Sequence, residues 1–248
     1  MKAAAFTIAA ASDLAAASAL LQDDAARAIA GGQSLGPMLN FRAARPARLV
    51  PLIKLPDLQG VEESPTHITI GAATTHAQIA DGRTPDLPGN ILARIAAGIA
   101  YRAVRTRGTI GGSLCHADPA ADWLTTLTAL DAILLTTTRA LTLRGFVTLP
   151  YKTQLQPGEI LRAIRIPRPP PGFGWGYQKL CRKPGEFAHA MTACLRTETT
   201  TMVLGASGGA PIVAASLADA EAALAGFAPV ERHLHLTAAR RALAEAGA

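Results

Sequence analysis

The chain is short of cysteine, of aromatics and of long apolar runs, and each scarcity removes a class of function. Its three cysteines, Cys115, Cys181 and Cys194, stand far apart with no CxxC pair, so neither a zinc site nor a disulfide framework is indicated. Three thiols also fall short of the four thiolates of a common iron–sulfur cluster. They read as small buried hydrophobes in a reducing cytosol, which makes the cytoplasm the expected compartment. No stretch approaches the roughly 20 apolar residues of a membrane helix. The apolar start, residues 1–11, is cut by Asp13 and has no charged leader, so a signal peptide is not expected. Aromatics make up 4% of the residues, and none interleaves with a basic run. The net charge of +6 is carried by scattered Arg and Lys, which argues against a nucleic-acid surface and suits an acidic partner or an anionic cofactor.

What is present is an ordinary globular composition, 49% apolar over 248 residues, long enough for one large domain or two to three compact lobes. Ser12 and Asp13 can cap a helix through about Gln22. A short strand, 28–30, then empties into Gly31-Gly32-Gln33-Ser34-Leu35-Gly36, with Pro37 suited to a first helical turn. Strands are expected at 49–55 and 67–71, a short helix capped by Thr75, and a helix over 90–101. A second glycine turn, Thr109-Ile110-Gly111-Gly112-Ser113, precedes a helix opened by Asp118-Pro119 and running to about Leu130. Strands follow at 131–137 and 159–166. Pro167, Pro169, Pro170, Pro171 and Gly172 form a stiff connector and the expected domain boundary. Beyond it, 174–181, 190–196 and 202–206 suggest an antiparallel meander, followed by helices at 213–225 and 237–246. No solenoid-period repeat is found.

Backbone N–H groups approach a dinucleotide pyrophosphate closely only where side chains are absent. Gly31-Gly32 and Gly111-Gly112 each follow a short apolar stretch and each precede a serine, Ser34 or Ser113, whose hydroxyl can add a donor. Two such loops could clamp one diphosphate. Neither matches the G-x-G-x-x-G of a Rossmann unit, and no acidic residue stands at the distance a nicotinamide ribose requires. Either pair, taken alone, could equally be a tight turn.

Other clusters have plainer readings. His116, Asp118 and Asp122 could be drawn as metal ligands, but Asp118 reads as a helix cap, Asp122 as a first-turn residue and His116 as bordering a cofactor or solvent. His76, after Thr74-Thr75, resembles a turn that borders a cofactor in similar proteins, but a capping neighbourhood explains it equally well, and it is left outside the site. His233 and His235 alternate as on an exposed strand or loop. Ser34, Ser113 and Ser207 lack a G-x-S-x-G context for acyl transfer. Trp175 and Tyr177 either pack in the core or approach a cofactor.

Ala30 to Leu35 with Pro37 and Asn40, and Val104-Arg105 through Arg107-Gly108-Thr109-Ile110-Gly111-Gly112-Ser113-Leu114 with His116-Ala117-Asp118-Pro119-Ala120-Ala121-Asp122-Trp123, together resemble the two FAD signatures of molybdenum-hydroxylase flavin subunits, the carbon monoxide dehydrogenase and xanthine dehydrogenase family. The likeness continues through Ile70-Gly71-Ala72, Pro157-Gly158-Glu159-Ile160-Leu161 and the run from Lys179 to Ala188, nearly the whole chain in order. It implies an α+β fold: a two-lobed FAD-binding domain of the PCMH or vanillyl-alcohol-oxidase type, with lobes at 1–55 and 56–168, then a small α/β C-terminal domain of antiparallel sheet plus helices at 169–248. By the same resemblance Ala30, Gly31, Gly32, Gln33, Ser34 and Leu35, with Thr109, Ile110, Gly111, Gly112 and Ser113, hold the pyrophosphate. Asp122 is similar to the family's acidic FAD contact, Leu161 to its apolar contact and Lys179 to its basic contact near the flavin.

The implied role is electron transfer: FAD in this chain, molybdenum-pterin in a large partner subunit and [2Fe-2S] clusters in a small one, with a dimer of heterotrimers as one form of assembly. No hydroxylation is expected of the chain itself. A self-contained flavin oxidase or reductase of the same fold, or a flavin-free scaffold, stands as the alternative. The sequence departs from relatives at Ile99, where some place an aromatic, and in a shortened C-terminal domain.

Overall fold

Asp13 starts the first helix as its position predicts. In the computed structural model of the protein, which describes residues 2–247, its carboxylate accepts the Ala16 N–H at 2.8 Å and caps α1 (Leu14–Leu20). This helix joins β1 (Thr7–Ile8) to β2 (Ala26–Ile29), and α2 (Leu35–Asn40) joins β2 to β3 (Arg48–Pro51). All pairings are parallel, with β3 central, because a helical crossover returns each strand in the same direction. Ala17, Val50, Leu52 and Leu55 pack beneath. The third strand stops at Pro51 and not at Leu55: Leu55 N–H closes a turn on Leu52 O at 3.0 Å just before Pro56.

The next stretch supplies β4 (Val61–Glu63), β5 (His67–Gly71), α3 (His76–Ala80), α4 (Ile91–Ala97), α5 (Arg102–Arg105), α6 (Ile110–His116) and α7 (Asp122–Ala129). It ends with β6 (Ile133–Thr136), β7 (Ala140–Thr142), the hairpin of β8 (Val147–Leu149) and β9 (Lys152–Thr153), and β10 (Leu161–Pro167). Five of these strands form an antiparallel sheet in the order β4-β5-β10-β6-β7. Along β10, Ala163, Ile164 and Ile166 are buried and Arg162 and Arg165 exposed, with a bulge after Leu161 resetting the alternation. The helices bury Leu92, Ile95, Ile110, Leu114, Trp123 and Leu127 among the sheet's apolar residues.

Two helices differ from expectation for local reasons. The apolar spacing over 90–101 becomes α4 and α5, because Ala100 turns left-handed at φ 44° and Tyr101 is extended. Asp86 fixes the start of α4 by accepting the Leu92 and Ala93 N–H groups, both at 2.8 Å. Asp118 does not open α7: its carboxylate accepts the Ala120 N–H at 2.9 Å in a turn, and the helix begins at Asp122 after extended Ala121.

Residues 167–172 lead into β11 (Gly174–Leu180), β12 (Ala190–Arg196), β13 (Thr200–Gly205) and β14 (Ile212–Ala214), paired antiparallel in chain order, then α8 (Leu217–Ala223) and α9 (Pro229–Glu245). Period-two alternation sorts this sheet cleanly. Cys194, Met202 and Leu204 face α8 and α9, while Ala193 and Val203 join Trp175, Tyr177 and Ala129 on the side of α7. The helix expected at 213–225 is β14 plus a shorter α8 capped by Ser216, which accepts the Asp219 N–H at 3.1 Å. The last helix starts eight residues earlier than expected, at Pro229, in the position where a missing N–H costs nothing. His233 and His235 are therefore helical, and only His233 is exposed; His235 is buried with its ring 5.7 Å from Phe227. Among the described residues no helix is long and apolar enough to cross a membrane.

Gly174 and Gly176 let α9 lie directly on β11, since a Cβ at either would collide with the carbonyl of Ala246 or Ala242. Gly176→Ala should therefore cost about 1–3 kcal/mol in urea unfolding. Gly209→Ala, where a Cβ meets nothing within 4 Å, should stay within about 0.5 kcal/mol; equal effects at the two sites would refute this packing account.

Candidate functional site

The first glycine loop leaves the carboxyl end of β2, a parallel strand, which is where open α/β sheets place ligands. Gly32 takes φ +70°, and its carbonyl accepts the Gly36 N–H at 2.8 Å; the Gln33 side-chain amide folds back to Gly31 O at 3.1 Å. The N–H groups of Gly31, Gly32, Gln33 and Ser34 have no acceptor among the described residues. Consecutive unpaired donors are what an anion can take up.

The second loop is a helix start and not a free turn. Thr109 caps α6 by accepting the Gly112 N–H at 3.0 Å. Ile110 N–H donates to Thr74 O, Gly111 N–H to Ala72 O and Ser113 N–H to Thr109 O, each at 3.0 Å. From Ile110 to Ser113 the backbone donors are thus spent within the protein, and what remains is a side-chain-free wall with hydroxyls. Glycine is required at 111 because a Cβ there would sit 2.7 Å from Ala72 O. The two loops, alike in sequence, are physically unequal.

They nevertheless meet. A Cβ at Gly31 would collide with Arg107 O and lie 2.9 Å from Gly108 Cα, and a Cβ at Gly112 would lie 4.0 Å from Ala30 Cβ. Along α6, Gly112 and Cys115 follow at i and i+3, so they share one side, and both are exposed. Burial still pushes the Cys115 thiol up to about 12. Cys115 is therefore not the buried hydrophobe expected, whereas Cys194 is.

Asp122 and Lys179, expected as separate contacts, are brought onto each other. Lys179 Nζ lies 2.8 and 3.0 Å from the Asp122 carboxylate oxygens and 3.3 Å from Gly98 O, and Tyr177 donates its hydroxyl to Asp122 Oδ1 at 2.7 Å. Strand alternation explains the meeting: Tyr177 and Lys179 project from the side of β11 that faces α7, whose first residue is Asp122. Burial raises the Tyr177 hydroxyl well above its ordinary value, and the Asp122 charge adds to this. Beside Lys179 opens a cavity of about 440 Å³, bounded by Tyr101, Arg102 and Arg105 and by Cys181 and Gly185.

Leu161 is buried in the main core at the start of β10. It is tied to the second loop through its neighbour, since Arg162 O accepts the Ala72 N–H at 2.8 Å and Ala72 O accepts that of Gly111. The preceding Gly158, at φ +72°, seats α1: its N–H donates to Leu21 O at 3.1 Å and its carbonyl accepts the Ser18 hydroxyl at 2.7 Å. Glu159 is held by Arg139, Thr136, Thr138 and the Gln156 N–H, which pull its carboxyl down to about 2, the Arg139 bond first. The Pro157 to Leu161 motif thus joins the parallel sheet to the antiparallel one.

His116 and Asp118 do not join Asp122. The His116 ring lies 5.2 Å from that of Tyr151, whose hydroxyl donates to Asp118 at 3.3 Å. His76 is the residue the sequence undervalued. Thr75 does cap α3, in a box with Gln78, but His76 is itself buried, with Trp123 Nε1–H donating to its Nδ1 at 3.1 Å. The capping pattern was readable; the partner 47 residues away was not.

Residues 4–169 match the family described as the FAD binding domain in molybdopterin dehydrogenase. The chain belongs to that family. It is 40% identical over 195 residues to the carbon monoxide dehydrogenase medium chain of Afipia carboxidovorans, covering 76% of this chain and 67% of the relative. It is 39% identical over 178 residues to the 6-hydroxypseudooxynicotine dehydrogenase complex subunit alpha of Paenarthrobacter nicotinovorans, covering 70% of this chain but only 60% of that protein. In fold it is similar to a carbon monoxide dehydrogenase from Hydrogenophaga pseudoflava that lacks the Mo-pyranopterin moiety, with a TM-score of 0.91 and 29% identity over 100% of this chain and 99% of that one. The mixed helix and strand architecture is thus the family's.

Burial, with the Arg105 charge adding, lowers the His76 pKa from 6.5 to about 4. A depressed folded value means the native state binds fewer protons than the unfolded chain between these limits. Stability is complete above pH 6.5 and lost as pH falls toward 4, by up to about 3 kcal/mol. His116 and His235 shift in the same direction, so the test is the difference between wild type and His76→Asn in urea unfolding from pH 7 to 4.5. Parallel curves for the two proteins would assign the acid sensitivity elsewhere.

Proposed function

We propose that this chain is the FAD-binding, electron-transferring subunit of a molybdenum hydroxylase complex, receiving electrons from a [2Fe-2S] subunit and passing them to an external acceptor. The observation that carries this reading is the run of unpaired N–H groups at Gly31, Gly32, Gln33 and Ser34, held against the second loop by a contact only glycine permits. Donors and shape together fit a dinucleotide diphosphate.

In this reading Ala30 to Leu35 supply the N–H groups. Thr109, Ile110, Gly111, Gly112 and Ser113 supply the facing wall, with the Ser34 and Ser113 hydroxyls as further donors. Leu161 supports that wall from the core, and Asp122 and Lys179 act as one neutralised pair near the ring end of the cofactor. FAD supplies the ability to take single electrons from a cluster and release them as a pair.

Residues 1–55 and 56–168 form the two lobes of a PCMH-type FAD domain, and 169–248 the C-terminal domain; the separate parallel and antiparallel sheets and the four-stranded meander support that division. A large molybdopterin subunit and a small [2Fe-2S] subunit complete the complex, paired as a dimer of heterotrimers in the cytoplasm. Support comes from relatives named as medium chains or subunits of dehydrogenase complexes.

Native purification followed by a visible spectrum and metal analysis tests this. Flavin with iron and molybdenum in one assembly is expected; flavin in a lone active chain would favour an oxidase, and a colourless protein a scaffold. Gly112→Val should abolish FAD retention while circular dichroism and the unfolding of the C-terminal domain stay near wild type, because side-chain atoms would enter the space between Thr109 and Ala30. Full FAD occupancy in that variant would contradict the site.

A further inference from the structure

We infer that His76 is a positioning residue for the cofactor site: its imidazole, locked in one tautomer by Trp123, backs Gly108 against Gly31 and so sets the spacing of the two glycine loops. The inference rests on the FAD reading above.

Four residues from four segments stand in series. Trp123 lies wholly buried in the core on α7, and its indole N–H can only donate. The 3.1 Å bond to His76 Nδ1 therefore makes that nitrogen an acceptor and places the ring proton on Nε2. The two rings are tilted by 34° with centroids 6.3 Å apart, so the bond and not face-to-face stacking fixes the imidazole. The Cδ2–Nε2 edge of the ring then lies against Gly108, where a Cβ would stand 3.0 Å from Cδ2 and 3.1 Å from Nε2. His76 N–H also donates to Gly108 O at 2.9 Å, and Thr75 bridges to Thr109. Ring and main chain thus hold the same residue.

Gly108 in turn touches the first loop, with its Cα 2.9 Å from where a Gly31 Cβ would be. Close-packed interiors transmit displacement. Any residue at 76 that lets Gly108 settle back widens the gap beside Gly31, the loop whose N–H groups are free. Arg105, bonded to Ile99 O at 3.0 Å and Ala100 O at 2.8 Å, is the charged group that opposes protonation of the ring. The part assigned to His76 is geometric.

Two substitutions separate this from a merely stabilising role. In His76→Asn the amide oxygen can still accept from Trp123, but the ring edge against Gly108 is gone. Gly108→Ala adds a methyl on the opposite side of the same contact. Each protein is stripped of flavin and titrated with FAD by fluorescence quenching, and the thermal unfolding of each apo form is recorded. Either single substitution should raise the FAD Kd at least about tenfold, with His76→Asn keeping most of the wild-type melting temperature. The double variant should bind better than either single one, because the methyl fills the space the ring vacates. Wild-type affinity in His76→Asn, or effects that simply add, would overturn the inference while leaving the FAD reading intact. If His76→Asn does not fold, Gly108→Ala alone decides, and wild-type affinity in that variant overturns it. A wild-type chain that takes up no FAD would sink both together.

Discussion

The contact of Gly31 with the Arg107–Gly108 backbone is the constraint on which the site is built. Two main chains approach there more closely than any side chain allows, so the loop after β2 and the segment before α6 are fixed relative to each other with no hydrogen bond between them among the described residues. The loops divide the work. The second spends its N–H groups on Thr74, Ala72 and Thr109 and becomes rigid; the first keeps its donors free and gains its position from the rigid partner. A site made of two equally open loops would have to order both on binding and would carry that entropic cost.

Rigidity reaches the loops from three directions. From below, Arg162 on β10 holds Ala72, and Ala72 holds Gly111. From behind, Trp123 and His76 hold Gly108. From the side of the first sheet, Gly158 grips the end of α1, whose strand neighbours carry the first loop. Each is a tie between segments distant in sequence, and each uses a residue, glycine or histidine, whose job is invisible until its neighbour is known. Preorganised geometry of this kind is what ligand sites on rigid scaffolds require.

Sequence patterning revealed what depends on local or period-two information. Strand β12 matches its expected limits, because seven consecutive residues alternate between two buried faces. The first glycine loop was legible as a loop, whereas the second, expected as a turn, lies inside the first turn of α6; the Asp13 and Thr75 caps were legible as caps. The break at Ala100 was not, since alanine rarely turns left-handed and only the Arg105 bonds to Ile99 O and Ala100 O reveal why it does so here. The early start of α9 was missed because alternating His233 and His235 mimic a strand, while Pro229 was the signal that could have found it. The spent donors of the second loop could not be read from Gly-Gly at all; they follow from Thr74 and Ala72, which arrive from another strand.

The pairing of Asp122 with Lys179 changes the electrostatic argument for the cavity beside Lys179, the proposed ring end of the site. A free ammonium would act on negative charge nearby as a full unit charge, an interaction of about 4 kcal/mol at 4 Å near a protein surface. With a carboxylate 2.8 Å from its nitrogen, Lys179 presents a dipole, whose field falls off faster than that of a charge. Positive charge at that cavity then comes from Arg105, which bonds only carbonyl oxygens among the described residues, while the first loop contributes its unpaired N–H groups. The Tyr177 hydroxyl supports the same conclusion, since it donates to Asp122 and strengthens the acidic member of the pair against the basic one. Lys179 therefore serves the site more as an anchor between the C-terminal sheet and α7 than as a source of positive potential.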